Sequence, residues 1–370
     1  VDAQLVDAQL VDAQLVDAQA VDAQALDAST DATPVDAGPS GPGCTIDRSF
    51  DVGGAGLPAA EVAVVDTGVN LLMLFTDGPA GTLAPLRWTR VSYTGVRVVP
   101  PQLLATAARR PQVTARDGFL QTAYLISSGW MQQRFVGGAP AAATTLATEN
   151  LAGMVPGLGA GVRFVVYTTG TPSFGPTFAI WPPSVGGGPR SLDALAISRV
   201  SSHTDGTVVG TVTRARPLPG CADCTTLALM DFGHWGDGGT TITEPTLPAG
   251  RIATARALTH RGTTYLAWIE SNADGTAPTG AIARYPLDVV ATIPDARALT
   301  MVATDNGVGV VGYQDATGAW LHRFTDDLAG FALGPACGLD VVPDQLVRID
   351  GDTVLAVDAA GHARIVTFTP

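Results

Sequence analysis

The sequence predicts an all-β chain of seven repeated units behind a low-complexity leader. Three observations carry this. Runs rich in Val, Thr, Leu, Tyr and Phe alternate with Gly, Pro, Asp and Asn turns from residue 44 onward, with no helical period. A glycine-marked turn between two apolar runs recurs at Gly68, Gly118, Gly161, Gly206, Gly262, Gly307 and Gly351, about 47 residues apart on average. Residues 1–43 instead hold a five-residue Val-Asp-Ala-Gln-Leu repeat that decays into a Pro/Gly stretch.

Five residues advance about 140° around a helix, so Leu5, Leu10 and Leu15 form no single stripe. Pentapeptide solenoids want a large apolar residue in every repeat, and here it becomes Ala20 and Ala25. Residues 1–43 therefore read as an acidic linker or tether, the alternative being an ordered helix or coil. Residues 44–370 read as the folded domain.

In each unit an apolar strand meets the turn and a second apolar strand follows. Asp-Gly and Asn-Gly supply the positive φ of a two-residue hairpin. A variable loop leads to a third strand with an aromatic residue, such as Leu86-Arg-Trp88 or Trp320-Leu-His-Arg-Phe324. A fourth, outer strand, such as Ala143-Thr-Thr-Leu146, completes the unit. The last unit runs out at Pro370 after its third strand. The segment 44–50 has the length to supply the missing one, which predicts that the N-terminal strand closes the last unit.

Seven all-β units at this spacing resemble the seven-bladed β-propeller class. The likeness covers residues 44–370 and is one of architecture. The Gly-His and Trp-Asp signature of WD repeats, the kelch double glycine and the sialidase Asp-box are absent. Gly233-His-Trp-Gly-Asp-Gly-Gly-Thr240 lacks the Ser-x-Asp start of that box. The acidic Asp/Ala tract ahead of a propeller is similar to surface lipoproteins of GC-rich, myxobacteria-like bacteria. That resemblance implies a secreted or cell-surface-tethered, extracytoplasmic protein and names no activity.

The net charge is −13, and eight of the 34 acidic residues lie within residues 1–43, ahead of the first basic residue, Arg48. An acidic surface repels phosphate backbones, which argues against nucleic acid as partner. No apolar run approaches the ~20 residues of a membrane-spanning helix. Val1 and the lack of a signal segment lead us to expect a processed chain, with any lipid-attachment cysteine upstream of residue 1.

The four cysteines allow three connectivities. Pairing Cys44 with Cys337 would clamp the seam between the ends of the domain, and Cys221 would pair with Cys224. For Cys221-Ala-Asp-Cys224, half of a metal site or a redox pair are the alternatives. The redox reading needs a helix N-terminus, which this hairpin-tip context does not supply.

In a propeller, the loops between second and third strands share a face with the starts of the first strands, and the fold class implies binding there. These loops are residues 76–84, 127–130, 168–176, 214–224, 270–280, 315–318 and 358–361. These loops carry Trp130, Phe174, Arg214, Arg216, Glu270 and Asp274, which we take as candidate ligand contacts; each could instead pack on its own loop. Glu270, Asn272 and Asp274 form a partial calcium pattern, without the closing acid of a full one. No other cofactor is expected.

His203, His234, His260, His322 and His362 make no zinc motif. No Gly-x-Ser-x-Gly elbow or phosphate-cradling loop is present, so no catalytic residue is nominated. Asp66, Asp117, Asp205 and Asp350 fit turn geometry. The functional expectation is a non-enzymatic binding module for a protein or glycan at the central face. The alternatives are an extracellular propeller hydrolase or lyase on glycan-type substrates, whose residues converge from several blades, and a structural envelope protein.

Overall fold

The computed structural model describes residues 43–116, 119–147, 153–157, 163–167, 177–181, 190–191, 196–197, 201–202, 207–215, 219–222, 224–234, 241–243, 251–260, 262–272, 276–285, 288–305, 309–327 and 330–369. Among them every regular element is a strand. In chain order these are β1 (Cys44–Asp51), β2 (Ala60–Asp66), β3 (Leu71–Thr76), β4 (Ala84–Val91), β5 (Arg97–Arg116), β6 (Phe119–Ile126), β7 (Gly129–Val136), β8 (Ala139–Pro140), β9 (Thr144–Ala147), β10 (Gly153–Gly157), β11 (Arg163–Tyr167), β12 (Thr177–Trp181), β13 (Arg190–Ser191), β14 (Ala196–Ile197), β15 (Ser201–Ser202), β16 (Thr207–Ala215), β17 (Thr225–His234) and β18 (Thr241–Thr243). They continue with β19 (Arg251–His260), β20 (Thr263–Ser271), β21 (Thr279–Arg284), β22 (Asp288–Pro294), β23 (Ala298–Ala303), β24 (Gly309–Gln314), β25 (Ala319–Asp327), β26 (Gly330–Leu339), β27 (Gln345–Asp350), β28 (Thr353–Val357) and β29 (His362–Phe368).

Among the described residues four sheets have four strands, in the orders β10-β11-β12-β13, β19-β20-β21-β22, β23-β24-β25-β26 and β1-β29-β28-β27. One with five strands takes β14 and β15 on the same edge of β16. The remaining sheet has eight strands. Its length comes from β5, which pairs β4 up to Ala108 and β6 from Arg109 onward. The chain turns from one partner to the other at Arg110, a non-glycine residue at φ 52° beside a register shift, and such a bulge bends a strand.

All neighbouring strands pair antiparallel, so the second strand of each unit lies inside the sheet. Sheets packed on both sides bury such strands on both faces. Leu71, Leu72, Met73, Leu74, Phe75 and Thr76 of β3 are all buried, and β20, β24 and β28 hold similar buried runs. The outer strand β1 alternates instead. Apolar layers form the core. One joins the two halves of the eight-stranded sheet, Leu72 and Leu74 to Tyr124 and Phe135; others lie between sheets, Leu266 and Trp268 against Leu227, and Tyr265 and Ile282 against Val311 and Phe324. A further layer joins the first and last sheets, Val62, Met73 and Phe75 against Leu355, Val357 and Ile365.

The turn glycines explain the repeat. Gly262 and Gly351 sit at positive φ in two-residue turns between paired strands. At Gly68 the turn is longer: Asp66 pairs Leu71, and the Thr67 amide donates to the Asn70 carbonyl. Nothing lies within 4 Å of a Cβ at Gly68, so its φ of 82° and not crowding demands glycine. Gly118, Gly161, Gly206 and Gly307 lie outside the described residues.

The cysteines pair as Cys44–Cys337 and Cys221–Cys224, with Cα separations of 5.5 and 5.3 Å. The first joins β1 to β26, that is, two different sheets. Polar staples also cross between sheets. The Tyr265 hydroxyl donates to Asp326 at 2.8 Å, and Arg284 donates to both oxygens of the same carboxylate. Gln345 donates to the Val62 carbonyl and accepts from the Val64 amide, so its side-chain amide stands in for a strand residue between β27 and β2.

Candidate functional site

Antiparallel succession places the second-to-third-strand loops and the starts of the first strands at one end of every unit. Three described loops there begin with aspartate: Asp77, Asp315 and Asp358. Each carboxylate is used locally. Arg87 on β4 meets Asp77 at 3.0 Å. Asp315 Oδ1 accepts from the Thr317 amide and hydroxyl, the Gly318 amide and the Trp320 indole, all within 3.1 Å. Desolvation alone would raise the Asp315 carboxyl, but those donors outweigh it and hold it below the ordinary carboxylate range. The turn is thus fixed by one side chain, as Asx turns are.

The Asp358 loop carries the richest cluster. The Asp358 side chain is only 1% exposed. Its Oδ1 accepts the Ala360 and His362 amides at 2.9 and 3.0 Å. Its Oδ2 lies 3.1 Å from His362 Nδ1 and 3.5 Å from Arg364. Arg364 also binds Asp340, beyond the end of β26. On the far side of the imidazole, His362 Nε2 lies 3.6 Å from Asp51 Oδ1, and His362 and Asp51 side chains are 53% and 57% exposed. Asp51 ends β1, and it is the cross-strand partner of His362.

A carboxylate can only accept, so Nδ1 turns its N–H toward Asp358, and Nε2 faces the Asp51 carboxylate at the surface. Imidazole is also the commonest metal-ligating side chain. Among the described residues its side-chain partners are the Asp358 and Asp51 carboxylates.

The residues nominated from sequence fare differently. Trp130, expected as an exposed anchor, is 0% exposed on β7, and its indole nitrogen has no hydrogen-bond partner among the described residues. Its backbone pairs Leu125 on one side and Ala147 on the other, so it is an interior strand residue and not an exposed loop residue. Glu270, next to last in β20, is half-buried and accepts from the Trp268 indole at 3.3 Å. Asn272 is exposed and bonds Thr276 through its amide and its backbone. Arg214 pairs Thr226 within β16, as far as its backbone is described. Phe174, Arg216 and Asp274 lie outside the described residues, so of the calcium pattern only Glu270 and Asn272 are described. His322 is a satisfied strand residue, between the Tyr313 hydroxyl at 3.0 Å and the Gly334 carbonyl at 2.8 Å.

His362 escaped the motif search because its partners are Asp358, four residues back, and Asp51, at the other end of the chain. The available signal was the repeated Asp-x-x-Gly of Asp315-Ala-Thr-Gly318 and Asp358-Ala-Ala-Gly361.

No family model matches the chain, and no curated protein sequence does. Solved structures do resemble it. A protein of unknown function from Dyadobacter fermentans aligns with a TM-score of 0.51 at 12% identity, over 89% of this chain and 100% of that one. The WD40 domain of Toxoplasma gondii coronin aligns with a TM-score of 0.54 at 10% identity, over 89% of this chain and 88% of that one. At such identity the likeness carries fold and nothing more. WD40 domains are β-propellers, and the architecture of this chain is therefore that of a β-propeller.

Proposed function

We propose that the chain is a seven-bladed propeller whose N-terminal strand completes the last blade, and that it acts as a non-enzymatic binding module outside the cytoplasm. The blade count is supported by the division of the eight-stranded sheet at Arg110. Closure is supported by the pairing of β1 with β29 and by the apolar layer between the first and last sheets. Two disulfides, with no free cysteine among the described residues, suit an oxidising compartment. In this reading residues 1–43 tether the domain to a surface, with a lipid anchor upstream.

The observation that carries the binding reading is the locking of the loop-end turns by Asp77, Asp315 and Asp358. Loops fixed before a partner arrives lose little entropy on binding. Phe174, Arg214, Arg216, Glu270 and Asp274 are the proposed contacts; Trp130 is not one. The partner is a protein or a glycan at the central face. One observation favours the second reading, a hydrolase or lyase: the oriented His362 with its outward Nε2. The third, a structural envelope protein, has no such support.

The test probes an array of glycans and purified envelope proteins with the oxidised full chain. Saturable binding that weakens in Glu270→Ala and Arg214→Ala supports the proposal. Turnover of a glycoside substrate abolished in His362→Ala, or binding by neither class, overturns it.

A further inference from the structure

We propose that Asp51 and His362 form a binding site for a divalent transition-metal ion of the zinc type, which staples the end of β1 to the start of β29. Four observations on one cluster point there. First, His362 Nε2 and Asp51 Oδ1 are 3.6 Å apart. An ion about 2.0–2.1 Å from each would subtend roughly 120° between them, within reach of tetrahedral coordination. Second, the other ring nitrogen is held by Asp358 Oδ2 at 3.1 Å. A carboxylate behind a metal-binding histidine fixes its tautomer and raises its basicity. Third, that carboxylate is itself immobile, buried and bonded to two backbone amides. Fourth, both donors are more than half exposed, so an ion can enter from solvent.

The surrounding charges set the limits of the site. Arg364 faces the Asp358 and Asp340 carboxylates, behind the ring. Arg97 donates to the carbonyls of Asp51, Val52 and Gly53 and so anchors the donor segment, while its charge opposes tight binding. No group of three or more His, Cys, Asp or Glu side chains suited to a metal occurs among the described residues. The site therefore has two protein donors and fills its other positions with water. Imidazole with carboxylate suits zinc, copper or nickel better than calcium or magnesium.

The placement gives the ion a role. β1 is fixed at its first residue by the Cys44–Cys337 bond, and Asp51 is its last residue. A bridge from Asp51 to β29 holds the strand at both ends.

The experiment titrates zinc into the chelator-stripped full chain by calorimetry and follows thermal melting with and without zinc. The wild type shows a saturable component and melts higher with zinc. His362→Ala and Asp51→Asn lose both effects, and Asp358→Asn, which keeps both donors, weakens binding about tenfold or more. Should His362→Ala fail to fold, Asp51→Asn decides. An isotherm unchanged by either donor substitution, as the acidic leader alone would give, overturns the proposal, as does no binding up to millimolar zinc.

Discussion

Replacing Cys44 and Cys337 together by alanine should destabilise the domain far more than replacing Cys221 and Cys224 together. All four cysteines are buried, so the small cavities left behind are similar in the two variants. What differs is the chain each bond closes. The Cys44–Cys337 bond spans a sequence separation of 293 and the Cys221–Cys224 bond one of 3. Loop-closure entropy then assigns about 5–6 kcal/mol to the first and about 2 kcal/mol to the second. Urea denaturation of the two oxidised variants against wild type reads the difference directly, as free energies extrapolated to zero denaturant. The long-range variant should also have the larger m value, because its unfolded state is free to expand. Equal losses for the two variants would refute the reasoning, since the bond would then not be joining distant ends of one cooperative unit.

Asp326→Ala removes the acceptor of the Tyr265 hydroxyl and the ion pair with Arg284 at a junction between two sheets; it should cost about 2–4 kcal/mol, against about 1 kcal/mol for Tyr265→Phe, both read by urea denaturation. Gln345→Ala should cost about 1–3 kcal/mol by losing two bonds between β27 and β2. Gln345→Glu should be worse, because a carboxylate would face the Val62 carbonyl. The depressed Asp315 carboxyl stabilises the fold only while ionised. The stability gap between wild type and Asp315→Asn should therefore be full above about pH 4 and shrink as pH falls through the lowered folded value, as acid-titrated melting would record. Trp130→Phe should leave partner binding unchanged, since the ring reaches no surface; a loss of binding in a folded variant would contradict its burial.

The repeat was legible because turn chemistry is local. Gly262 and Gly351 need positive φ whatever surrounds them, and the apolar runs beside them sit between sheets. The cysteine pairing was legible for a related reason: a strand missing at the C-terminus had to come from residues 44–50, which carries Cys44 toward Cys337. What failed were statements about exposure. Trp130 follows a two-residue loop, and whether its ring turns in or out depends on strands β6 and β9 on either side. The continuous β5 was unreadable because Pro100, Pro101 and Pro111 look like breaks. The Asp51–His362–Asp358 cluster depends on β1 pairing with β29, a contact between the two ends of the domain that no linear pattern reports.

The most direct test of the closed-ring account is a crystal structure of the oxidised full chain. The account requires seven four-stranded sheets arranged radially around one axis, with β1 hydrogen-bonded to β29 in the last of them. A different number of sheets, an open arc, or β1 paired elsewhere would contradict it.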